Sequence, residues 1–413
     1  MNPYSVLRSV VRFGRVETDL TKRRLARAAS VEDLRRIARR RLPGGVFDYI
    51  DGGAEDERTL AANVAAYEAT SFRPRVLRGI KKVDPTGTIL DRPAPMPLVL
   101  APTGFTRIAD PQGELAVARA AERAGLPYTL STLSTRSIEE VRSISNGRLW
   151  FQVYAWRDRG LLEAMVHRAA AARYEALMLT VDTAVLGRRE RDVRRGFSLP
   201  PTIGPATFVD GALHPGWTLR FLRSEPILFA NVVGSDKGDG SSPVSLSDYI
   251  NGQFDPSLSW SDVEWLRSIW DGPIIVKGIQ TVEDARLAAD AGVEAIALSN
   301  HGGRQLDGAP ATLSLVSDVA NAVGDRLEII CDGGVRRGSD IVKAVAAGAT
   351  AAMAGRAYLY ALGAAGEAGV DRVLSWFHAD MVRTMSLVGV EGIAQLDRSL
   401  LSLSPTGLTE RSS

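Results

Sequence analysis

From Pro97 onward the chain alternates short apolar runs with amphipathic, helix-like stretches, eight times in succession. Strands that alternate with helices predict parallel βαβ units, and eight such units predict a closed (β/α)8 TIM barrel. The runs are apolar on most residues, as expected of strands covered on both faces. An open, doubly wound sheet is the alternative fold, and the count of eight decides against it. The predicted strands are Leu98–Ala101, Tyr128–Ser131, Leu149–Tyr154, Ala176–Val181, Ile274–Lys277, Ala295–Ser299, Glu328–Cys331 and Ala351–Ala354.

The predicted barrel occupies the middle of a single domain that spans residues 1–413. We expect an N-terminal helical segment over 1–96, the barrel over 97–365, and C-terminal helices with a tail over 366–413. About ninety residues separate the fourth and fifth strands, far more than a βα unit needs. We interpret residues 197–254 as a loop insertion, whose aromatic and apolar content argues against simple disorder.

Composition and charge narrow the classes of function. The net charge of +2 argues against nucleic acid as a partner, because such binding normally needs a strong basic excess. Residues 1–42 nevertheless carry twelve Lys and Arg against four Asp and Glu. This stretch is typical of a solvated helix face, and it could also contact anionic lipid headgroups.

The sequence also indicates a compartment. A single cysteine, Cys331, excludes an intramolecular disulfide and is typical of a reducing environment. No apolar run reaches the roughly 18 residues of a spanning helix, and the N-terminus lacks the apolar core of a secretory signal. We therefore expect a cytoplasmic protein, in solution or held at the inner face of the cell membrane. The histidines show no metal-ligand spacing, so we expect no metal.

The break that follows the sixth predicted strand contains His301 and Arg304. A histidine can take a proton near neutral pH, and an arginine fork fits a carboxylate. The pair therefore indicates a substrate with both a removable proton and a carboxylate.

Other polar groups also collect where predicted strands end, which in a barrel is the reactive rim. The small-residue turn from Ala101 through Thr103 to Gly104 would let backbone approach a flat ligand closely. Hydrogen-bonding side chains end the next five strands, namely Ser131, Gln152, Tyr154, Thr180, Asp182, Lys277, Ser299, His301 and Arg304.

The last two strands end in glycine and arginine followed by a helix start. The seventh carries Asp332, Gly334 and Arg336, and the eighth carries Gly355 and Arg356. Exposed backbone N–H groups and a helix N-terminus bind phosphate, and barrels commonly place a phosphate at these two loops. A mononucleotide such as FMN fits the predicted length and polarity of the site.

Several motifs together resemble the FMN-dependent α-hydroxy-acid oxidases and dehydrogenases, and most closely the bacterial respiratory L-lactate dehydrogenases. The similarity covers almost the whole chain, from about Val31 to about Asp397. The motifs are Ser299–Gln305, Asp48–Asp56, Leu179–Thr183, Gly187–Glu190, Asp332–Arg337 and, for the lactate enzymes, Phe254–Trp260.

The resemblance implies a role for each matching residue. His301 would be the base, Asp182 would orient it, and Lys277 would support charge at the edge of the flavin. Tyr49, Tyr154, Arg189 and Arg304 would hold the substrate. The FMN contacts would be Ala101, Thr103, Ser131, Gln152, Thr180, Lys277, Ser299, Asp332, Gly334, Arg336, Gly355 and Arg356.

The implied reaction is oxidation of an L-2-hydroxy acid, with L-lactate as the expected substrate and a quinone or cytochrome as acceptor. Leu133 stands where glycolate-oxidising members commonly have tryptophan, which indicates a roomier site; Ala184 replaces a common proline and should change only local stiffness. A soluble oxidase or monooxygenase that uses oxygen stays open. So does the choice between hydride and carbanion chemistry. An FMN isomerase and a non-catalytic flavin-binding barrel would not need this set of residues.

The insertion also bears on the acceptor. Residues 214–233 are rich in large apolar groups but too short and interrupted to span a bilayer. They suit either a membrane interface, with arginines at the headgroups, or a lid on the barrel mouth. We predict peripheral membrane contact, and we expect the chain to form a homo-oligomer.

Overall fold

The computed structural model describes residues 17–196, 204–232 and 252–403, and within them eight parallel strands close into a barrel. The predicted (β/α)8 fold is confirmed, and no predicted strand end is off by more than two residues. Four short strands among the described residues lie outside the barrel. In chain order the strands are β1 (Thr70–Phe72), β2 (Gly87–Ile89), β3 (Arg92–Ala94), the barrel strands β4 (Leu98–Leu100), β5 (Tyr128–Ser131), β6 (Leu149–Tyr154), β7 (Ala176–Thr180), β8 (Ile274–Ile279), β9 (Ala295–Leu298), β10 (Glu328–Asp332) and β11 (Ala351–Ala354), and β12 (Leu401–Leu403).

Helices surround the barrel and precede it, and short 3-10 turns occur at Thr106–Ile108, Ile393–Gln395 and Arg398–Leu400. The described α-helices are α1 (Leu20–Ala26), α2 (Val31–Arg41), α3 (Gly44–Asp51), α4 (Arg58–Ala69), α5 (Gly113–Arg123), α6 (Ile138–Ile144), α7 (Arg159–Ala171), α8 (Glu190–Arg195), α9 (Pro205–Leu213), α10 (Pro215–Leu222), α11 (Ser261–Ile269), α12 (Val282–Asp290), α13 (Thr312–Val323), α14 (Gly338–Ala347), α15 (Arg356–Ala365) and α16 (Glu367–Val388).

The N-terminal helices follow the local sequence signals closely. Ser30 caps α2 by accepting a hydrogen bond from the backbone N–H of Asp33 at 3.2 Å. Acidic residues favour the first turn of a helix, but the acidic stretch at Glu55 lies before the next helix and not within it. Glu55 and Glu57 instead have left-handed backbone, with φ of 45° and 62°, so α4 begins only at Arg58.

A hairpin that the sequence did not reveal closes the N-terminal end of the barrel. β2 and β3 pair antiparallel, and Ile89 packs into the cluster of side chains that fills the barrel. Arg148, immediately before β6, donates a hydrogen bond to the Ile89 carbonyl at 2.8 Å. With this end covered, the C-terminal ends of the strands form the accessible mouth.

The described part of the predicted insertion, 204–232 and 252–254, lies over that mouth. α9 and α10 pack on each other, and Trp217 of α10 donates a hydrogen bond to the Ile108 carbonyl at 2.8 Å. Side chains on the other side of this helical pair are exposed, including Phe208 and Leu213. The remainder of the predicted insertion, 197–203 and 233–251, lies outside the described residues.

Candidate active site

A cavity of about 500 Å³ opens at the C-terminal ends of the barrel strands. Most of the site residues predicted from the sequence line it. These are Tyr49, Ala101, Thr103, Ser131, Tyr154, Arg189, Lys277, His301, Arg304, Asp332, Gly334, Arg336, Gly355 and Arg356. Of the other four, Gln152, Thr180 and Ser299 are buried immediately behind this lining, and the side chain of Asp182, which is 3% exposed, contacts His301.

His301 and Asp182 form the central pair, with Nδ1 of the histidine 3.0 Å from Oδ1 of the aspartate. Burial lowers the pKa of His301, as do the charges of Lys277 and Arg304, and Asp182 only partly offsets these effects. Burial acts to raise the pKa of Asp182, but the charges of His301 and Lys277 outweigh it and the pKa falls. The pair is therefore a neutral imidazole held by a carboxylate, which suits proton abstraction near neutral pH.

Close backbone packing brings this pair together. Gly278, which follows Lys277 at an irregularity in β8, has φ of +115°, and a Cβ there would lie 2.8 Å from the Cβ of Asp182. Only glycine allows this approach. His301 itself adopts left-handed backbone, with φ of 57°, a strained conformation that is concentrated at functional sites.

Two arginines and a tyrosine form the end of the cavity next to His301. The guanidinium carbons of Arg189 and Arg304 lie 5.4 Å and 5.1 Å from the centroid of the Tyr49 ring. Arg304 donates hydrogen bonds to the carbonyls of Tyr49, at 2.6 Å, and Gly52, at 3.2 Å, at the C-terminus of α3. Burial and the charge of Arg189 lower the pKa of Arg304 to about 9, so a bound anion would favour the charged form of this guanidinium.

The charge balance of the cavity indicates an anionic ligand. The described residues that line it include six Lys and Arg but only two Asp. One of the aspartates, Asp192, accepts a hydrogen bond from Arg189 Nε at 2.7 Å. This bond holds the Arg189 guanidinium at its Nε side. Positive charge therefore dominates the lining, which matches ligands that carry a carboxylate and a phosphate.

The second end of the cavity is built from the loops after β10 and β11. Gly334 has φ of +88°, and a Cβ there would meet the carbonyl oxygen of Asn63 at 2.2 Å. Arg356, at the N-terminus of α15, donates hydrogen bonds to the carbonyls of Gly302 and Gly52, both at 2.7 Å. A positively charged helix start beside bare backbone is suited to a phosphate.

A series of hydrogen-bonded polar side chains lies at the bottom of the cavity. Lys277 Nζ donates to Ser299 Oγ at 3.0 Å, and Ser299 Oγ donates to Asp332 at 2.8 Å. Gln152 Nε2 and Thr180 Oγ1 are buried on the neighbouring strands without a hydrogen-bond partner. Buried donors of this kind call for a ligand that accepts hydrogen bonds, and the polar edge of a flavin ring supplies such acceptors. The residues present therefore fit FMN.

The structure adds site residues that the sequence reasoning did not single out. Gln305 binds the backbone of the loop that follows β7: its Nε2 donates to the carbonyls of Asp182, at 2.9 Å, and Val185, at 3.0 Å. Its Oε1 accepts from the N–H of Gly187 at 3.0 Å. Gln305 lies in the Ser299–Gln305 motif, which was its available signal. Phe229 of the insertion also lines the cavity. The sequence offered a lid over residues 214–233 as one alternative, but it did not single out Phe229 as a site residue.

The described residues contain no helix that is long and apolar enough to cross a membrane. They also contain no group of three or more His, Cys, Asp or Glu side chains placed to hold a metal ion. Cys331 is buried, and burial raises its pKa to about 11, so its thiol is a packing group.

Comparison with known proteins identifies the relatives of this chain. A family model described as FMN-dependent dehydrogenase matches residues 38–403. A putative L-lactate dehydrogenase of Mycobacterium tuberculosis strain H37Rv is 46% identical over 391 residues, which cover 94% of this chain and 93% of that protein. Glycolate oxidase 1 of Oryza sativa subsp. indica is 42% identical over 90% of this chain and 94% of its own.

Solved structures agree with these sequence matches. A crystal structure of (S)-mandelate dehydrogenase, described as a monotopic membrane protein, superimposes with a TM-score of 0.88 at 39% identity. The alignment covers 91% of this chain and all of the other. The matches confirm three predictions: the family resemblance inferred from the motifs, the barrel fold, and FMN as the cofactor.

Proposed function

We infer that this chain, which belongs to the family of FMN-dependent dehydrogenases, oxidises L-lactate to pyruvate and passes the electrons to a quinone or cytochrome. That it is an FMN-dependent enzyme acting on a 2-hydroxy acid follows from the family. One observation carries the choice of roles: His301, which Asp182 holds, lines the same cavity as Arg189 and Arg304. A base next to a carboxylate fork is what a 2-hydroxy acid requires.

Substrate binding falls to Tyr49, Tyr154, Arg189 and Arg304. The two guanidiniums would hold the carboxylate, and their fixed geometry would place the α-carbon beside His301. Burial and the charge of Asp182 raise the pKa of Tyr154, so its hydroxyl stays protonated and can donate to the carboxylate or hydroxyl of the substrate. The buried charge of Arg304 is compensated once this anion binds.

The proton is taken by His301. Asp182 occupies its Nδ1, which leaves Nε2 as the basic nitrogen. As the imidazole becomes charged, the carboxylate of Asp182 stabilises it without taking the proton itself. His301 removes the proton from the α-carbon or from the hydroxyl; the residues present suit both.

The electron pair leaves the substrate in the same reaction. FMN, when bound, accepts this pair. Ser131, Gln152, Thr180 and the backbone of Ala101 and Thr103 would hold the ring, and Gly334, Arg336, Gly355 and Arg356 would bind the phosphate. Lys277, fixed by Ser299 and Asp332, would provide a permanent positive charge where negative charge develops.

A second candidate substrate is a 2-hydroxy acid with a larger apolar side chain. Leu133 and three phenylalanines, Phe105, Phe229 and Phe254, line the cavity on the side away from the phosphate loops. These four side chains present more apolar surface than the single methyl group of lactate can cover. The relatives include enzymes named for glycolate and for mandelate, so the candidate substrates differ in the size of their side chain.

Membrane contact at the insertion supports a quinone or cytochrome as the acceptor. Phe208, Val209, Leu213, Leu219 and Leu222 are each more than half exposed on α9 and α10. Such a group of exposed apolar side chains marks an interaction surface. The lid interpretation holds for the inward face instead, because Trp217, Ile227 and Phe229 pack against the core. The insertion therefore suits both uses, one on each face.

Basic residues lie on α10 and near it. Burial lowers the pKa of Arg41 on α2 to about 10, together with the nearby charges of Arg24 on α1 and Arg220 on α10. Cations beside exposed apolar groups are favourable at an anionic lipid surface. A membrane-held dehydrogenase is thereby favoured over a soluble oxidase or monooxygenase.

The test of the proposed function is anaerobic bleaching of the bound flavin. L-lactate should reduce the purified yellow protein, and D-lactate should not, because only one enantiomer presents its α-hydrogen opposite the ring while the carboxylate is held. L-mandelate and glycolate serve as the larger and smaller alternatives. A protein that none of these acids bleaches would contradict the assignment.

A further inference from the structure

A short segment of the insertion, Glu225–Asn231, crosses the cavity mouth and is fixed to the barrel at both ends; we refer to it as the strap. Its first end is held by Arg107, whose terminal nitrogens donate to the carbonyls of Glu225 at 2.7 Å and Pro226 at 3.2 Å. Arg107 is buried, so these bonds form out of water. Arg136 adds an ion pair to Glu225 at 2.8 Å.

Asn231 holds the other end of the strap. Its Nδ2 donates to Ser134 Oγ at 2.9 Å, and its Oδ1 accepts from the backbone N–H of Ile138 at 3.0 Å. Arg168 donates to the Asn231 carbonyl at 3.2 Å. Asn231 is buried, and losing buried hydrogen bonds is costly, so this end does not move easily.

Phe229 lies between the two anchors and faces the cavity. Its ring is buried and lies 5.4 Å from the ring of Phe105, centroid to centroid. Phe105 in turn lies 6.5 Å from the ring of Tyr49, which borders both arginines. A chain of aromatic contacts therefore runs from the carboxylate end of the site to the strap.

We propose that Phe229 is a specificity-determining residue and that the anchored strap sets the largest substrate side chain that the cavity accepts. This inference rests on the proposed function, because it takes the carboxylate to lie at Arg304 and the α-carbon at His301. The remaining substituent then points to the wall that Phe229 and Leu133 form. A ring held from both sides cannot withdraw, so a longer side chain meets it directly.

The experiment compares the full FMN-loaded protein with its Phe229→Ala variant. The measurement is kcat/KM for L-lactate and for L-2-hydroxyoctanoate, with flavin bleaching as the assay. We expect the ratio of the longer acid to lactate to rise by roughly tenfold or more, since a few methylene groups in an apolar pocket change specificity by about that much. Phe229→Leu should give an intermediate ratio, and it stands in if the alanine variant does not fold.

Phe221→Ala is the matched control. Phe221 lies on α10 in the same insertion, stacks on Trp217 at 4.7 Å and does not line the cavity. It should leave the ratio at the value of the unmodified protein. An equal rise in both alanine variants would overturn the proposal, because it would trace the effect to a loosened insertion. An unchanged ratio in Phe229→Ala and Phe229→Leu would overturn it as well.

A separate variant, Arg107→Gln, tests the role of the anchor. It weakens the anchor but keeps phenylalanine at position 229. If the strap must be held, the ratio should rise here too, while the flavin absorbance and thermal unfolding temperature show that FMN and fold are retained. A ratio like that of the unmodified protein would contradict the anchoring step. Failure of the proposed function looks different, since the unmodified protein would then not be bleached by either acid.

Discussion

Nδ1 of His301 lies 3.0 Å from Oδ1 of Asp182, and this contact joins residues 119 positions apart at the ends of β7 and β9. Four further groups constrain it: Gly278, which makes room for Asp182; Lys277, whose charge acts on both partners; and Gln305 and Gly187, which lock the two loops together. The pair is thus held from several directions, as a base with a defined tautomer requires.

Replacing His301 with Gln should stop catalysis and spare the cofactor. Glutamine keeps a polar side chain of similar size but cannot take the proton, and loss of a general base typically costs about 10²–10⁴-fold. The rate of anaerobic flavin reduction by L-lactate measures the loss, and the absorbance of the purified variant shows that FMN is retained. Reduction at nearly the normal rate would mean that a different residue is the base.

The pH profile of Asp182→Asn should change in a specified direction. Neutral His301 is the active form, so kcat/KM should rise as pH increases through the pKa of His301, which lies below its ordinary value. Asp182 acts to raise that pKa. The variant should therefore lose activity at every pH while its acidic limb moves to lower pH. A limb that moves to higher pH would show that Asp182 does not support the imidazolium.

The sequence predicted the barrel and the reactive rim because both depend on local patterns. Apolar runs of strand length repeat eight times, and β/α geometry then places every strand end on one rim. His301, Lys277 and Arg304 could be assigned from the strand that each follows. The same logic indicated Gly334 and Arg356, since the loops after the last two strands of a barrel commonly bind a phosphate at a helix N-terminus.

Contacts between distant segments could not be predicted in this way. The hairpin of β2 and β3 has strands of only three residues, too short for alternation to be visible. Phe229 reaches the site only because Arg107 and Asn231 fix a stretch with no regular pattern. The segment 214–233 mixes large apolar side chains with charged ones, so the sequence offered membrane contact and a lid as alternatives. In its described part, Trp217, Ile227 and Phe229 pack against the core, whereas Leu219 and Leu222 are exposed.

Arg304→Lys should mainly raise the KM for the 2-hydroxy acid. Lysine keeps the positive charge but replaces the planar fork by a point charge, and it cannot bond the carbonyls of Tyr49 and Gly52 in the same geometry. A lost charge-assisted hydrogen bond is worth about 1.5–3 kcal/mol, or about 10- to 100-fold in KM. Steady-state kinetics check this, and a change confined to kcat would contradict it.

Gln305→Met should lower kcat/KM without releasing FMN. The side chain keeps its length but loses three hydrogen bonds to the loop that carries Asp182 and leads to Arg189, so both groups lose their fixed positions. We expect a fall of about tenfold or more, since each such bond is worth about 0.5–1.5 kcal/mol. Gln395→Met is the control, because Gln395 is exposed and accepts one hydrogen bond from Glu391, away from the cavity.

The last prediction concerns the electron acceptor and uses the two-faced geometry of the insertion. Removing the whole segment would also remove Phe229 from the site, so the exposed face has to be altered alone. A triple variant, Phe208→Ser, Leu213→Ser and Leu222→Ser, does this, because these side chains are 70%, 73% and 72% exposed. It should reduce FMN with L-lactate at the normal rate, since none of the three lines the cavity.

The same variant should bind anionic liposomes much more weakly and lose quinone-linked turnover. Each apolar side chain contributes about 1.5–3 kcal/mol on burial, so three losses should weaken binding by at least about 100-fold. A triple serine variant at Val76, Leu287 and Leu387 removes three exposed apolar groups elsewhere, which are 79%, 45% and 68% exposed, and should bind as the unmodified protein does. Cosedimentation with liposomes and quinone reduction are the measurements. Equal binding by all three proteins, or rapid peroxide formation by the unmodified enzyme, would favour a soluble oxidase, because an enzyme that gives its electrons to oxygen needs no contact with the bilayer.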